Sequence, residues 1–184
     1  MSKTRNLTVP GDGNYGADIM IIGEAPGSNE DKTGKPFAGR AGRLLDELLI
    51  SSGIERSTVY ITNMLKCRPP SNRDPQLAEI AACQQHLDLQ ISLTNPSVIV
   101  TLGRFSFAKF FPQVTLSKSR GIIRDWKGIK ILPVYHPAAA LYNPSLKPKL
   151  ITDFQKITTL IGKKENTDLS KVPKQPNTQL NLFE

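Results

Sequence analysis

Cysteine, histidine and long hydrophobic stretches are scarce in this chain of 184 residues, and each scarcity excludes a class of protein. Two cysteines are too few for the disulfide framework of a small secreted domain, so we expect a reducing, cytoplasmic setting. No apolar run approaches the roughly 20 residues that span a bilayer, and no signal-peptide pattern is present. Membrane and secreted classes are therefore excluded, while an apolar content of 39% suffices for a globular core.

Positive charge is in excess, with 24 Lys and Arg against 16 Asp and Glu, which gives a net charge of +8. The excess is concentrated between residues 104 and 149, where Asp125 is the one acid. The nine basic residues there are Arg104, Lys109, Lys118, Arg120, Arg124, Lys127, Lys130, Lys147 and Lys149. Such a block is typical of a surface that meets phosphates. The alternative is a solvated basic face without a partner.

The hydrophobic pattern predicts strands that alternate with helices. The short apolar runs typical of buried strands are residues 17–22, 59–63, 97–102 and 130–135. The predicted helices are residues 41–52, 76–93, 104–111 and 149–161, and the intervening loops include 23–39, 67–75 and 136–149. Strands joined by crossover helices indicate an α/β fold, with a parallel sheet covered on both faces.

The composition changes after residue 162. Residues 163–178 are almost all polar and too poor in apolar side chains to build a core, which predicts a flexible linker. We therefore expect a globular domain over 1–162, a linker over 163–178 and a short tail over 179–184.

Ligands of such sheets bind where loops leave the carboxyl ends of the strands. The loops at these positions carry Glu24, Asn63, Arg104 and His136. The first loop, Gly-Glu-Ala-Pro-Gly, lacks the Gly-Lys-Ser/Thr ending of a phosphate loop and the Gly-x-Gly-x-x-Gly register. A nucleotide-using α/β enzyme is therefore disfavoured.

Five motifs in order resemble those of the family 4 uracil-DNA glycosylases. They are GEAPGSNED (23–31), GKPFAGRAG (34–42), NMLKCRPPSNRDP (63–75), TLGRFS (101–106) and YHPAA (135–139). The resemblance runs from about residue 8 to residue 161. It implies a three-layer α/β/α sandwich on a four-stranded parallel sheet. It also implies a monomeric DNA repair enzyme that flips uracil out of DNA and hydrolyses its N-glycosidic bond, leaving an abasic site.

The resemblance assigns a uracil-binding set consisting of Ala25, Glu30, Phe37 and Asn63. Phe37 would stack on the base, and Asn63, which can donate and accept, would read the pyrimidine edge. Glu30 would crowd the C5 position and exclude thymine. The alternatives are a core phenylalanine, a turn-forming asparagine and a solvated acid.

Two further residues carry the predicted catalysis. A neutral His136 would donate to uracil O2 and stabilise the negative charge of the leaving group; the alternative is a structural loop histidine. Glu24 would stabilise the sugar cation or orient water. Another glycosylase family has an aspartate where this chain has Ala25, so water activation by a carboxylate at position 25 is excluded.

Contacts to DNA are expected from Arg104, Leu141, Tyr142 and Asn143. The loop after the histidine resembles the wedge that enters the base stack, and Leu141 or Tyr142 would fill the gap left by the flipped base. The alternative is that Leu141 packs inward. Affinity should fall with salt, because basic residues nearby would hold the flanking phosphates.

The resemblance also implies a cofactor, because family 4 enzymes carry a [4Fe-4S] cluster on four cysteines. Cys67 and Cys83 match the later two, whereas the N-terminal Cys-x-x-Cys pair is missing. Either the chain begins downstream of that pair, which is the simpler explanation, or its lineage has lost the cluster. Two thiolates alone cannot hold such a cluster, so we expect protein of this sequence to lack a stable one.

The last residues suggest a partner. Residues 179–183, Gln-Leu-Asn-Leu-Phe, resemble the motif by which bacterial replication and repair proteins bind the DNA polymerase sliding clamp. The alternative is a tail that packs back on its own domain.

Two other functions are alternatives. A protein that traps uracil-DNA covalently would carry a basic, histidine-containing insertion after the Phe37 loop. Here residues 39–48 run straight into a helix, so this alternative is disfavoured. A non-catalytic DNA-binding or scaffold protein would follow if loss of the cluster collapsed the pocket.

Overall fold

The computed structural model describes residues 1 and 4–161 and shows an α/β fold around a six-stranded mixed sheet. The strands are β1 (Asp12–Gly13), β2 (Ile19–Gly23), β3 (Tyr60–Asn63), β4 (Val98–Leu102), β5 (Arg124–Trp126) and β6 (Ile129–Val134). The helices are α1 (Ser28–Thr33), α2 (Arg40–Ser51), α3 (Leu77–Thr94), α4 (Arg104–Ala108), α5 (Leu116–Ser119), α6 (Pro137–Tyr142) and α7 (Lys147–Ile161). Single 3-10 turns lie at Arg56–Thr58, Pro70–Asn72 and Pro144–Leu146.

The strand order is β1-β3-β2-β4-β6-β5. Strands β3, β2, β4 and β6 pair in parallel, whereas β1 and β5 add to the two edges in antiparallel fashion. The expected count of four strands is therefore too low. The two edge strands have only 2 and 3 residues and no continuous apolar run, so the hydrophobic pattern could not reveal them.

Helices cover both faces of the sheet, because successive side chains of a strand point to opposite sides. In β2, Ile19 and Ile21 pack in the core formed with α2, α6 and α7. Met20 and Ile22 pack in the second core, to which α3 contributes. The expected buried face of α2 is confirmed, and its four leucines are Leu44, Leu45, Leu48 and Leu49.

Two segments predicted as loops contain helices. Residues 23–39 include α1, whose sequence SNEDKT carries no apolar side chain and so shows no periodic pattern. Residues 136–149 include α6 and the start of α7. His136 is the N-cap of α6 and Pro137 occupies its first turn, an arrangement that favours helix initiation.

Within the described residues, no helix is long and apolar enough to cross a membrane. The predicted linker and the predicted clamp-binding tail, residues 163–184, lie outside the described residues.

Candidate active site

A cleft of about 400 Å³ opens at the carboxyl end of β2. There the chain passes to β3 on one side of β2, while β4 lies on the other side. Such a switch point is where open α/β sheets bind ligands. The cleft brings together seven of the predicted site residues, namely Glu24, Ala25, Glu30, Phe37, Asn63, His136 and Tyr142.

Gly23, the last residue of β2, allows the cleft walls to approach one another. A Cβ atom at this position would lie 2.3 Å from Asn63 Oδ1 and 2.7 Å from Phe37 Cζ. Any side chain here would therefore displace the two groups predicted to recognise the base. The first glycine of the Gly-Glu-Ala-Pro-Gly loop is therefore explained by close packing at the cleft, without a bound phosphate.

Asn63 ends β3 and is 2% exposed. Its Oδ1 is buried and has no hydrogen-bond partner among the residues that the structure describes. An unpaired buried acceptor costs about 1–3 kcal/mol, and native structures leave few of them. Because Asn63 also lines the cleft, this acceptor is positioned to receive a donor from a ligand.

The backbone of Asn63 is held by a buried lysine. Lys66 Nζ donates to the carbonyl oxygen of Asn63 (2.7 Å), to Thr62 Oγ1 (2.7 Å) and to Gln90 Oε1 (2.6 Å). Gln90, on α3, donates in turn to the carbonyl of Pro10. Burial lowers the pKa of Lys66 to about 7, an effect that Cys83 opposes. The network ties the end of β3 to α3 and to the N-terminal segment.

Phe37 adopts a left-handed conformation, with a φ of 53°, which is uncommon for a residue with a bulky side chain. Two close contacts hold it there. A Cβ atom at Gly42 would lie 1.7 Å from the Phe37 carbonyl oxygen, so α2 begins directly against the loop. Glu30 Oε1 accepts from the Gly39 N–H at 2.9 Å and closes the loop from the other side. Phe37 is thus a rigid aromatic wall and also a member of the core.

His136 lies beside this wall, with ring centroids 5.6 Å apart and nearly parallel. Its Nδ1 accepts from the Ala138 N–H at 3.1 Å, so the neutral ring carries its proton on Nε2. Burial lowers the pKa of His136 to about 4, although Glu30 acts in the opposite direction. The imidazole is therefore a neutral hydrogen-bond donor at physiological pH.

Glu24 follows β2 directly and lines the cleft. Burial raises the pKa of its carboxyl above the ordinary value, Asp74 raises it further and Arg104 opposes the shift. Arg104 forms an ion pair with Asp74 and is not among the lining residues. Its position next to Glu24 and Asp74 makes it an electrostatic neighbour of the cleft.

Of the residues predicted to form the DNA wedge, Tyr142 is 90% exposed at the end of α6 and lines the cleft. Leu141 is partly buried and packs against the core. Asn143 accepts from the Ser145 N–H and hydroxyl at 3.2 and 2.6 Å, and so caps the following turn. The three consecutive residues therefore differ in environment: Tyr142 is exposed at the cleft mouth, Leu141 packs on the core and Asn143 caps a turn.

The opposite rim is formed by residues that the sequence did not single out, Pro69, Asn72 and Arg73. Arg73 makes two hydrogen bonds to the carboxylate of Glu79, at 2.7 and 2.8 Å. Asn72 has a φ of 53° and accepts from Arg68 Nε at 2.8 Å. A polar, proline-bearing loop after a predicted strand was the available signal, and side-chain contacts that span four and six residues shape this loop at the cleft.

The two cysteines were tested against the cluster that the resemblance implies. Both Cys67 and Cys83 are buried, and Cys67 Sγ accepts from Arg5 Nη1 at 2.7 Å. Among the described residues, no group of three or more His, Cys, Asp or Glu is arranged to hold a metal ion. Two thiols, one of them hydrogen-bonded to an arginine, do not fit a four-iron cluster, which needs four ligands.

Comparison with known proteins agrees with this geometry. The model of the uracil-DNA glycosylase superfamily matches residues 10–158. A type-4 uracil-DNA glycosylase of Archaeoglobus fulgidus is 46% identical, over 91% of this chain and 88% of its own length. Type-4 enzymes of Sulfurisphaera tokodaii and Thermotoga maritima are 49% and 46% identical, over 85% and 86% of this chain and 76% and 85% of their own lengths. The chain belongs to the uracil-DNA glycosylase superfamily and, within it, to the type-4 family.

Proposed function

We propose that this protein is a DNA repair hydrolase that excises uracil from DNA and leaves an abasic site. The observation that carries the proposal is the buried Oδ1 of Asn63, which has no hydrogen-bond partner among the described residues and lies beside Phe37 at a cleft of about 400 Å³. The relatives named as type-4 uracil-DNA glycosylases support the same activity.

Recognition of uracil follows from the chemistry of its edge. N3–H is a donor and O4 an acceptor, so Asn63 accepts the first at Oδ1 and donates to the second from Nδ2. Phe37 stacks on the ring. Glu30, fixed by the Gly39 N–H, crowds the C5 side and excludes the methyl group of thymine. Ala25 lines the cleft without adding bulk.

The leaving group is stabilised by His136. Breaking the C1′–N1 bond transfers its electron pair to uracil, and the negative charge develops largely on O2. The Nε2–H of a neutral imidazole donates to that oxygen and gains strength as the charge grows. Because the ring is already neutral and fixed by Ala138, no reorganisation is required at the moment of reaction.

The sugar side is assigned to Glu24. Water attacks the cationic C1′ and must lose a proton, and a carboxylate with a raised pKa is a better acceptor for it than an ordinary one. Glu24 also stabilises the cation electrostatically. No carboxylate is available at Ala25, so expulsion of a stabilised leaving group supplies most of the catalysis.

Base flipping is assigned to the α6 rim. A base inside the duplex cannot reach the cleft, and an inserted side chain offsets part of the cost of unstacking. We assign Tyr142 to this insertion because its side chain is 90% exposed at the cleft mouth. Leu141 supports α6 from below through its packing on the core.

The activity is tested with oligonucleotides that carry uracil opposite guanine, opposite adenine or in a single strand. We expect release of free uracil and strand cleavage only after alkali or heat, without added metal or nucleotide. A gel that resolves covalent adduct from unchanged DNA separates excision from covalent trapping and from simple binding. Intact DNA after alkali in every substrate would disprove the proposal.

We propose that the tail, Gln179 to Phe183, binds a bacterial sliding clamp. A linker of about sixteen residues reaches on the order of 20 Å, which would concentrate the enzyme near newly made DNA. Titration of a clamp with the peptide 176–184, beside the same peptide with Leu182→Ala and Phe183→Ala, tests the assignment. Equal, negligible binding by both peptides would reject it.

The cofactor proposal is that protein of this sequence holds no stable four-iron cluster, since two thiols are the only cysteine ligands in the sequence. Iron analysis and visible absorbance of anaerobically purified protein test it. A stoichiometric content of four iron atoms would contradict it.

A further inference from the structure

The basic block of residues 104–149 is largely neutralised by the protein itself. Five of its nine cations form ion pairs with carboxylates. These pairs are Arg104–Asp74, Lys109–Asp88, Arg120–Asp153, Lys130–Asp125 and Lys147–Glu47. Arg124 donates to Ser119 and lies over the ring of Phe111. The block has fewer free charges to offer a phosphate than its sequence indicates.

A second group of cations has the opposite character. Lys35, Arg40 and Arg43, which we call the α2 basic cluster, are all exposed. In the part of the chain that the structure describes, none of them lies within 4.0 Å of a carboxylate oxygen. The sequence supplies no acid between Asp31 and Asp46. Three exposed positive charges in this segment therefore form no ion pair among the described residues.

The α2 basic cluster borders the base-binding cleft. Lys35 and Arg43 line a second cleft of about 300 Å³ that shares the wall residue Phe37 with the first. Arg40 immediately precedes Ala41, which lines the first cleft. Two acids also line the second cleft, and one of them, Asp46, is neutralised by Arg56 at 2.7 Å. The other is Asp12, so the second cleft keeps a net positive charge.

We propose that the α2 basic cluster binds the DNA phosphates that flank the flipped nucleotide, and that it supplies more of the affinity for DNA than the block 104–149 does. The proposal rests on the proposed function for the identity of the base. The physical reason is counterion release: a cation without an internal partner gains the full benefit of a phosphate, whereas a paired cation must first give up its carboxylate. The cluster is also close to Phe37, on which the flipped base is proposed to stack. The phosphates of the flipped nucleotide stay covalently attached to that base through the sugar, so they must lie nearby.

The test compares two double variants that change the net charge by the same amount. Lys35→Glu with Arg43→Glu reverses two charges of the α2 basic cluster and so lowers the net charge by four. Lys118→Glu with Lys127→Glu removes two exposed cations of the block that lack carboxylate partners within the described residues. Binding is measured on a duplex with a tetrahydrofuran abasic analogue and on an undamaged duplex, between about 50 and 200 mM salt.

We expect the first variant to bind roughly 10- to 100-fold more weakly at the lower salt concentration. Its slope of log affinity against log salt should be smaller by about 2, since each phosphate contact contributes about 0.9. The second variant should stay within about twofold of the parent protein, with the slope unchanged, because Lys118 and Lys127 line neither cleft although they too lack carboxylate partners among the described residues. Equal losses in the two variants, a larger loss in the second, or an unchanged slope in the first would overturn the proposal.

Excision kinetics separate this proposal from the proposed function. The first variant should raise KM and leave kcat at saturating DNA within about twofold, because phosphate binding is shared by ground and transition states. If the parent protein excises no uracil, the proposed function fails, while the binding comparison still decides the role of the cluster. Lys35→Gln with Arg43→Gln removes the charge without reversing it and should give about half the change in log affinity. If that variant binds like the parent protein, the proposal fails.

Discussion

Asn63 and His136, two of the polar residues that line the cleft, are held in place by different kinds of contact. The carbonyl of Asn63 is fixed through Lys66 to Gln90, and Gln90 in turn bonds to Pro10, 80 residues away in sequence. His136 is fixed by the N–H of Ala138, two residues further along the chain. Asn63 is thus positioned by contacts between distant segments of the chain, whereas His136 is positioned by a contact within its own helix start.

This difference has a consequence for how the site tolerates change. A helix cap forms whenever the local sequence forms the helix, so the orientation of His136 depends on few other residues. The position of Asn63 depends on three segments that meet only in the folded protein. Substitutions far from the cleft should therefore disturb base recognition more readily than leaving-group stabilisation.

The largest effects should come from removing either polar group. We expect His136→Ala to slow single-turnover excision by about 10²- to 10³-fold, the cost of losing one donor to a developing anion. Asn63→Ala should lower the rate by at least as much, because it removes the groups that bind both N3–H and O4. Binding to an abasic-analogue duplex should be retained in each.

His86→Ala is the matched control, since His86 is the other histidine and is exposed on α3. We expect its rate to equal that of the parent protein. Parent-like excision by both His136→Ala and Asn63→Ala would show that the site is elsewhere.

Gly23→Ala tests the close approach of Asn63 and Phe37 to the end of β2. The added Cβ would lie 2.3 Å from Asn63 Oδ1, a distance that real Cβ contacts essentially never show. Something must shift, and we expect excision to fall by roughly 30- to 100-fold with a smaller change in melting temperature. Gly16→Ala is the control, because its nearest neighbour would be 3.7 Å away. Equal activity of the two variants would contradict the geometry of the cleft.

The pH dependence of excision tests whether His136 acts as a neutral donor. The folded-state pKa of His136 is about 4, below the ordinary value of 6.5, so the ring stays neutral as the pH falls from 8 to about 5. We expect the single-turnover rate at saturating DNA to lose no activity to His136 over that interval. Below pH 4 it should fall about tenfold per pH unit as the ring gains a proton on Nδ1 and loses the bond from Ala138.

Circular dichroism at each pH is needed to separate protonation of His136 from acid unfolding. The unfolded chain takes up the proton near pH 6.5 and the folded one only near 4, so this histidine makes the protein less stable as the pH falls between those values. The carboxyl of Glu24 also has a raised pKa, so the profile is measured in Glu24→Gln as well. A loss of rate centred near pH 6.5 in both fully folded proteins would show that His136 is not the neutral donor described above.

The smallest effect should come from substituting Lys66, which supports Asn63 but does not line the cleft. Lys66→Met removes the ammonium that three oxygen atoms share. Gln90 Oε1 keeps the Thr62 hydroxyl as a donor at 3.2 Å, whereas the Asn63 carbonyl oxygen loses the Lys66 donor. An unsatisfied buried acceptor costs about 1–3 kcal/mol in folding free energy. We expect a lower melting temperature and a kcat reduced by roughly 3- to 10-fold as Asn63 moves.

Lys32→Met is the control for this substitution, because Lys32 is exposed. It should change neither the melting temperature nor kcat. If Lys66→Met lowers the melting temperature but leaves kcat unchanged, the network stabilises the fold without positioning Asn63.

Much of the central fold was predictable because its signals are local. Buried parallel strands read as short apolar runs, and the four central strands were found within two residues of their observed ends. The edge strands β1 and β5 and the short helices α1, α5 and α6 were not found. They contain too few residues to show a period, and they form because the neighbouring strand or core presents a surface to them.

The site divides in the same way. The sequence placed Glu24, Asn63 and His136 at strand ends, and the ordered motifs indicated a role for each. It did not reveal the support of Asn63 by Lys66 and Gln90, or the cleft rim at Asn72 and Arg73. Gln90 is distant in sequence from Lys66 and from Pro10, so no local pattern reports that support. The rim contacts of Asn72 and Arg73 span only four and six residues, but they join polar side chains that show no hydrophobic period.

By itself, the sequence determined the family, the alternation of strands and helices, and the edge of the sheet at which the chemistry-bearing residues collect. These depend on hydrophobic period and on motifs that are read one segment at a time. Only the tertiary structure decided which charges are free. The basic block 104–149 meets its acids in space, whereas Lys35, Arg40 and Arg43 meet none among the described residues. The number of charges can be read from the sequence. The electrostatic potential that a phosphate meets depends on which of those charges form ion pairs in the folded protein.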